Sequence, residues 1–228
     1  MNIAFFSAQK YELSFFEQST RDYSDINITY FEQGLSDQSA ILANGFDAIC
    51  VFVNDTVNAA VIEQLASQGI KTILLRCAGF NNVDLPAAKA HKIKVLRVPA
   101  YSPEAVAEHC IALMLTLSRK THKAYNRVRE GNFDLNGLLG FNLHDKTVGI
   151  IGCGKIGIAL CNILNGFGAH VLVCDPYAKP GNYTITDIDT VLSQSDVISL
   201  HCPLTEQTHH LINDEAFSKM KTGVMLIK

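Results

Sequence analysis

The chain has 228 residues, with 22 acidic and 19 basic side chains and a formal net charge of −3. Hydrophobic residues make up 48% and charged residues 18%, a balance that excludes intrinsic disorder and suits one or two globular domains. The mildly negative charge and the lack of a Lys/Arg block argue against nucleic acid as the main partner, and Gly, Asn and His interrupt the longest uncharged run, Ile156–Cys174, so no membrane span is expected.

The opening stretch MNIAFFSAQKYE turns polar too soon for a secretory leader. IAFFS (3–7), INITYF (26–31), DAICVFV (47–53), TILLR (72–76) and IKVLRV (93–98) follow as strands. Most are nearly continuous apolar runs, as parallel strands buried on both faces require. Helical segments such as Asn58–Ser67 and Leu85–His91 lie between them, so residues 1–100 read as one α/β unit with a parallel sheet.

Ser102-Pro103-Glu104 is a strong helix start: a capping hydroxyl, a proline at the first helical position and an acid at the positive end of the dipole. The pattern predicts one long helix from about 103 to Gly131. Its first half is apolar nearly all round, which suggests a buried bridge between domains. His109 on that helix reads as a satisfied core histidine.

A second α/β unit follows, giving an expected division into 1–100 and 101–228. Its strands are TVGIIG (147–152), His170–Cys174, DVISLHCP (196–203) and VMLI (224–227), with a helix over Ile156–Phe167. Thr186 and Asp189 resemble a capping box, and Asn213-Asp214-Glu215 starts a further helix. The expected fold class is therefore α/β: two doubly wound, Rossmann-like parallel-sheet domains.

Gly152-Cys153-Gly154-Lys155-Ile156-Gly157 matches G-x-G-x-x-G, placed after a strand and at the start of a helix. Gly152 permits the tight turn, Gly154 lets the backbone approach a pyrophosphate, and Gly157 allows close helix–strand packing. Asp175 ends the next strand, where an acid binds ribose hydroxyls and repels a 2′-phosphate, favouring NAD over NADP. The alternative is a structural glycine turn beside a surface acid. Strand, helix and acid in register favour the cofactor.

The loop after DVISL brings Cys202 and Pro203 to the carboxyl edge of the sheet, as adenosine contacts or as a packed strand end. No motif supplies His201 with an orienting carboxylate, which argues against a base there. Arg76–Asp84 forms a Gly-containing loop that either presents amides to an anion or is an ordinary capped turn. Tyr101 either reaches into a cleft or packs. The histidines lack metal spacing, so no metal site is expected. The seven cysteines are an odd number without CxxC, which points to reduced thiols and a cytoplasmic location.

RCAGFNNVD (76–84), VPAYSPEAVAEH (98–109), GIIGCGKIG (149–157), CDPY (174–177) and DVISLHCPLT (196–205) together resemble the D-2-hydroxyacid dehydrogenases along the whole chain. Within that family the likeness is to the bacterial fermentative D-lactate dehydrogenases. The resemblance implies two doubly wound domains, NAD as cofactor, and hydride transfer between NADH and pyruvate to give D-lactate. It assigns the substrate carboxylate to the backbone at Ala78 and Gly79 and a substrate-facing role to Tyr101. Lys155 and Ile156 match the pyrophosphate pair, Asp175 the ribose acid, and Cys202, Pro203 and Thr208 the adenosine and nicotinamide side. A homo-oligomer, dimer or tetramer, is implied for full-length members.

The resemblance also implies an Arg that clamps the substrate and a Glu–His acid/base pair, all beyond the strand matched by VMLI. Lys228 stands where the family has Asn, and no residue of this sequence matches the Arg, the Glu or the His. The expectation is a truncated chain with no catalytic residue, a half-built second sheet with an apolar edge at 224–227, a first domain without its C-terminal return segment, and no turnover. The alternatives are a non-catalytic NAD-binding or subunit-binding module, and a dehydrogenase for another D-2-hydroxyacid.

Overall fold

The computed structural model describes all 228 residues. It divides into two units, Met1–Tyr101 and Ser102–Lys228.

In the first unit, β1 (Asn2–Phe5), β2 (Asn27–Tyr30), β3 (Ala48–Val51), β4 (Thr72–Leu75) and β5 (Lys94–Arg97) form one sheet in the order β2-β1-β3-β4-β5. Every pair is parallel. Alternate residues face opposite layers. Ala4, Phe6, Ile49, Val51, Ile73 and Leu75 pack with Val61, Ile62 and Leu65 of α2 (Ala59–Ser67). Ile3, Phe5, Ala48 and Cys50 pack with Leu13 and Phe16 of α1 (Lys10–Thr20). Side chains of Asn58 and Asp84 cap α2 and α3 (Leu85–Ala90), each accepting a backbone N–H at 2.9 Å. The helix α1 is weakly amphipathic in KYELSFFEQST, which is why its pattern does not stand out in the sequence.

In the second unit, β6 (Thr147–Ile151), β7 (His170–Cys174), β8 (Thr184–Ile185), β9 (Val197–Leu200) and β10 (Met225–Ile227) form a parallel sheet in the order β10-β9-β6-β7-β8. The short β8 has no apolar run to announce it; pairing with β7 creates it. One face packs Val148, Ile150, Val171 and Val173 against α4 (Pro103–Arg119) and α6 (Lys155–Gly166). The other packs Ile151, Ile198 and Leu200 against α7 (Ile188–Gln194) and α8 (Asp214–Lys219). Strand order reverses between β6 and β9, and parallel sheets hold ligands outside the strand ends at such a reversal.

Three local expectations are corrected. The long helix to Gly131 is two helices, because Lys120 adopts a left-handed conformation (φ 51°, ψ 38°) before α5 (Thr121–Arg129). Tertiary packing imposes the break. Gly140 lies so close to the end of α4 that a Cβ there would come within 2.0 Å of the Ser118 carbonyl oxygen, and Lys120 Nζ donates to Gly137 O at 2.9 Å. His109 is exposed rather than a core residue, since the buried face of α4 runs through Ala107, Cys110, Ile111 and Met114. Asp187, not Thr186, caps α7, its carboxylate accepting the Thr190 N–H at 2.8 Å.

Candidate active site

The turn after β6 is built from backbone. Gly152 has φ +95°, and a Cβ on it would lie 2.4 Å from Cys202 N and 2.6 Å from His201 C. Only glycine fits, on both conformational and steric grounds. A Cβ at Gly157 would meet Gly152 O at 2.4 Å, so this glycine lets α6 start hard against the turn. Gly154 differs: a Cβ there would meet nothing within 4 Å. Its flank is open, leaving room for a ligand to reach the main chain.

Gly154 is the N-cap of α6 and provides no side-chain cap. The amides of Lys155, Ile156 and Gly157 donate to no acceptor in the chain; the first bond of the helix is Ile158 N–H to Gly154 O at 2.9 Å. Free amides and the positive end of the helix dipole make a ready anion cradle. Lys155 is exposed at the mouth and Ile156 is half-buried.

Asp175, at the end of β7, faces this turn. Its Oδ2 accepts the Cys153 N–H at 2.6 Å and its Oδ1 accepts the Tyr177 N–H at 2.7 Å. The carboxylate thus braces the glycine turn and stays half-exposed. Across the strand reversal, the chain after β9 runs beside Gly152, with Cys202 half-buried and Pro203 exposed. Thr208 closes this loop: its hydroxyl donates to Pro203 O at 2.5 Å and accepts the Thr205 N–H at 2.8 Å. His201 Nε2 sits 2.8 Å from Ser199 Oγ, and burial pushes its pKa down from 6.5, so the ring is neutral at pH 7. It has a hydroxyl partner and no carboxylate.

In the first unit, the amides of Ala78, Gly79 and Phe80 follow β4 and also donate to no acceptor in the chain. Gly79 is exposed and a Cβ on it would meet nothing. The loop is fixed from outside. Arg97 Nη1 donates to Ala78 O at 2.8 Å, and Asn82 Nδ2 donates to Phe52 O at 3.1 Å and Asp55 O at 3.0 Å. Tyr101 is 70% exposed, not packed.

The profile of the D-isomer specific 2-hydroxyacid dehydrogenase NAD binding domain matches residues 111–228. All of this chain aligns at 48% identity with D-lactate dehydrogenase of Escherichia coli, spanning 70% of that protein. The chain belongs to the D-isomer-specific 2-hydroxyacid dehydrogenases. The apo structure of the E. coli enzyme superposes over 99% of this chain and 72% of that one with a TM-score of 0.88. The Aquifex aeolicus D-lactate dehydrogenase complexed with NAD and lactic acid superposes with a TM-score of 0.84 at 35% identity, covering 99% of this chain and 68% of that one.

Sequence reasoning missed the side chains that hold this dehydrogenase's first-unit loops. Asp55 is 2% exposed, and its carboxylate accepts from Ser7 Oγ at 2.6 Å, Leu35 N–H at 2.8 Å and Phe52 N–H at 2.6 Å. In the sequence Arg76 stands only as the first residue of the 76–84 motif. Its side chain is buried and paired with Glu12, 64 positions away, at 3.0 Å. The one available hint was a charged residue inside an otherwise apolar strand end. All seven cysteines are free thiols. Burial raises the Cys50 thiol to about 11 and the Cys161 thiol to about 12, so neither is a thiolate nucleophile at neutral pH.

Proposed function

We propose that this chain carries the cofactor and carboxylate sites of an NAD-dependent D-lactate dehydrogenase, which reduces pyruvate to D-lactate with NADH. The open amides of residues 155–157, faced by Asp175, carry the reading. A pyrophosphate would take the amides of Lys155 and Ile156 above Gly152, Gly154 and Gly157. Asp175 would accept from the ribose hydroxyls, and a 2′-phosphate would meet its charge. Cys202, Pro203 and Thr208 would line the adenosine and nicotinamide side. Bound NADH supplies the hydride.

The unit Met1–Tyr101 is assigned to substrate. The free amides of Ala78 and Gly79 would hold the pyruvate carboxylate, with Tyr101 facing the rest of the molecule. The Arg, Glu and His implied by the family resemblance have no match in residues 1–228, so this stretch is assigned binding without turnover. Likeness to D-lactate dehydrogenases at 48% identity supports pyruvate over larger 2-keto acids.

The same reading includes self-association in the cytoplasm. No residue of α5 is buried, and Phe133, Leu135 and Leu139 just after it are 74%, 78% and 89% exposed. Apolar side chains grouped so openly suit a second copy of the chain. Free thiols throughout suit a reducing compartment.

Residues 1–228 titrated with NADH, followed by nucleotide fluorescence, test the proposal. Saturable NADH binding, much weaker NADPH binding and no oxidation of NADH on adding pyruvate are expected. Failure to bind NADH, or equal affinity for NADPH, would overturn the cofactor assignment. Pyruvate-dependent oxidation above background would overturn the separation of binding from turnover.

A further inference from the structure

We propose that the buried Glu12–Arg76 pair is a positioning device that sets the Ala78 and Gly79 amides for an incoming carboxylate. The inference rests on the assignment of that loop to the substrate carboxylate.

Arg76 stands at the end of β4, two residues before Ala78. Its side chain is only 5% exposed, yet all its donors are occupied. Nε donates to Glu12 Oε1 at 3.0 Å and Nη2 to Glu12 Oε2 at 3.4 Å. Nη1 donates to Phe6 O at 3.0 Å and lies 3.4 Å from Cys50 O and 4.0 Å from Cys50 Sγ. Nη2 also donates to Ser7 O at 3.1 Å. The guanidinium carbon lies 3.9 Å from the centroid of the Phe5 ring and 5.2 Å from that of Phe52.

No donor remains for a ligand, so Arg76 is not a substrate cation. It joins the chain at the ends of β1, β3 and β4 through one rigid fork, and Glu12 neutralises it and anchors α1 to the same point. The Arg76 N–H donates to Val51 O at 3.1 Å and the Cys77 carbonyl accepts the Val98 N–H at 3.2 Å; the amides of Ala78, Gly79 and Phe80 then donate to no acceptor. The clamp therefore fixes the chain at the end of β4, two residues before the cradle begins. Burying a charge pair brings little or no net stability compared with apolar side chains of similar size. What a planar fork with several fixed donors brings is geometry, which a lysine cannot reproduce.

The test is ¹⁵N-resolved titration of residues 1–228 with pyruvate, following the Ala78 and Gly79 amides. Wild type is compared with Arg76→Met/Glu12→Leu, which keeps the volume apolar, and with Arg76→Lys, which keeps the charge. Pyruvate should shift both amides in wild type. Half-saturation should rise at least tenfold in each variant while NADH affinity stays unchanged. If a folded double variant binds pyruvate like wild type at these amides, the positioning role is wrong and the loop assignment survives. If wild-type amides do not respond to pyruvate, the loop assignment falls and takes the positioning role with it.

Discussion

The two units place free amides beyond parallel strands in different ways. In the second unit the cradle lies at the strand reversal itself, between β6 and β9, and backbone makes it, with the Asp175 carboxylate as its one side-chain brace. Gly152 passes under Cys202, Gly157 lets α6 close in, and the helix leaves its first N–H groups unpaired. In the first unit the equivalent reversal, between β1 and β3, is tied shut: Ser7 Oγ donates to Asp55, and Arg76 takes the carbonyls of Phe6, Ser7 and Cys50. The free amides there lie after β4 instead, held by side chains drawn from distant parts of the chain. Two doubly wound sheets of different strand order, 2-1-3-4-5 in the first unit and 3-2-1-4-5 in the second when each is numbered from its own first strand, thus yield an anion cradle from a clamp of charged and amide side chains or from glycine sterics. The glycine-built cradle tolerates no Cβ at Gly152 or Gly157; the clamped one depends on buried polar pairs.

The sharpest test of this contrast is Gly152→Ala. A methyl group would be forced into the Cys202 backbone at a positive φ, and a loss on the order of 3 kcal/mol is expected in urea unfolding, with NADH binding abolished. Gly154→Ala is its counterpart. Nothing in the chain would touch the new methyl, so stability should change by less than about 0.5 kcal/mol while NADH affinity falls. Equal destabilisation by the two would break the distinction between a glycine the fold needs and one the ligand needs.

Asp55→Ala probes the other construction. It leaves the buried Leu35 and Phe52 amides and the Ser7 hydroxyl without their acceptor, and a loss of about 2–3 kcal/mol is expected in the same assay. Asp175→Ala should weaken NADH binding about tenfold and narrow the preference over NADPH, measured by paired titrations. Unchanged preference would reduce Asp175 to the brace seen at Cys153 and Tyr177.

The smallest effect concerns pH. Burial depresses the His201 pKa below its ordinary 6.5, so the unfolded chain binds this proton more readily. The contribution is present above pH 6.5 and is lost as pH falls through and below it. The melting temperature of wild type should therefore fall between pH 6.5 and about pH 5 more steeply than that of His201→Asn.

The second-unit cradle was legible in the sequence because its parts are contiguous. A strand, three spaced glycines and a helix start occupy residues 147–157, and Asp175 comes at the end of the next strand. The clamps of the first unit were not, because Glu12 meets Arg76 and Ser7 meets Asp55 across 64 and 48 positions of chain, and no spacing rule predicts such pairs. Thr208 lies between these cases. Family likeness singled it out, and the structure adds that its hydroxyl ties off the loop at Pro203.

By itself the sequence determined the two parallel sheets, the main strands along the chain and the dinucleotide turn, since hydrophobic periodicity, glycine placement and helix caps act over a few residues. Tertiary structure decided what distant segments impose on one another. It broke the long helix at Lys120 against Gly140, formed β8 by pairing with β7, turned His109 outward and buried Arg76 against Glu12. The physical reason is range. Backbone preference and periodicity are properties of neighbours along the chain, whereas steric closure and charge burial belong to neighbours in space.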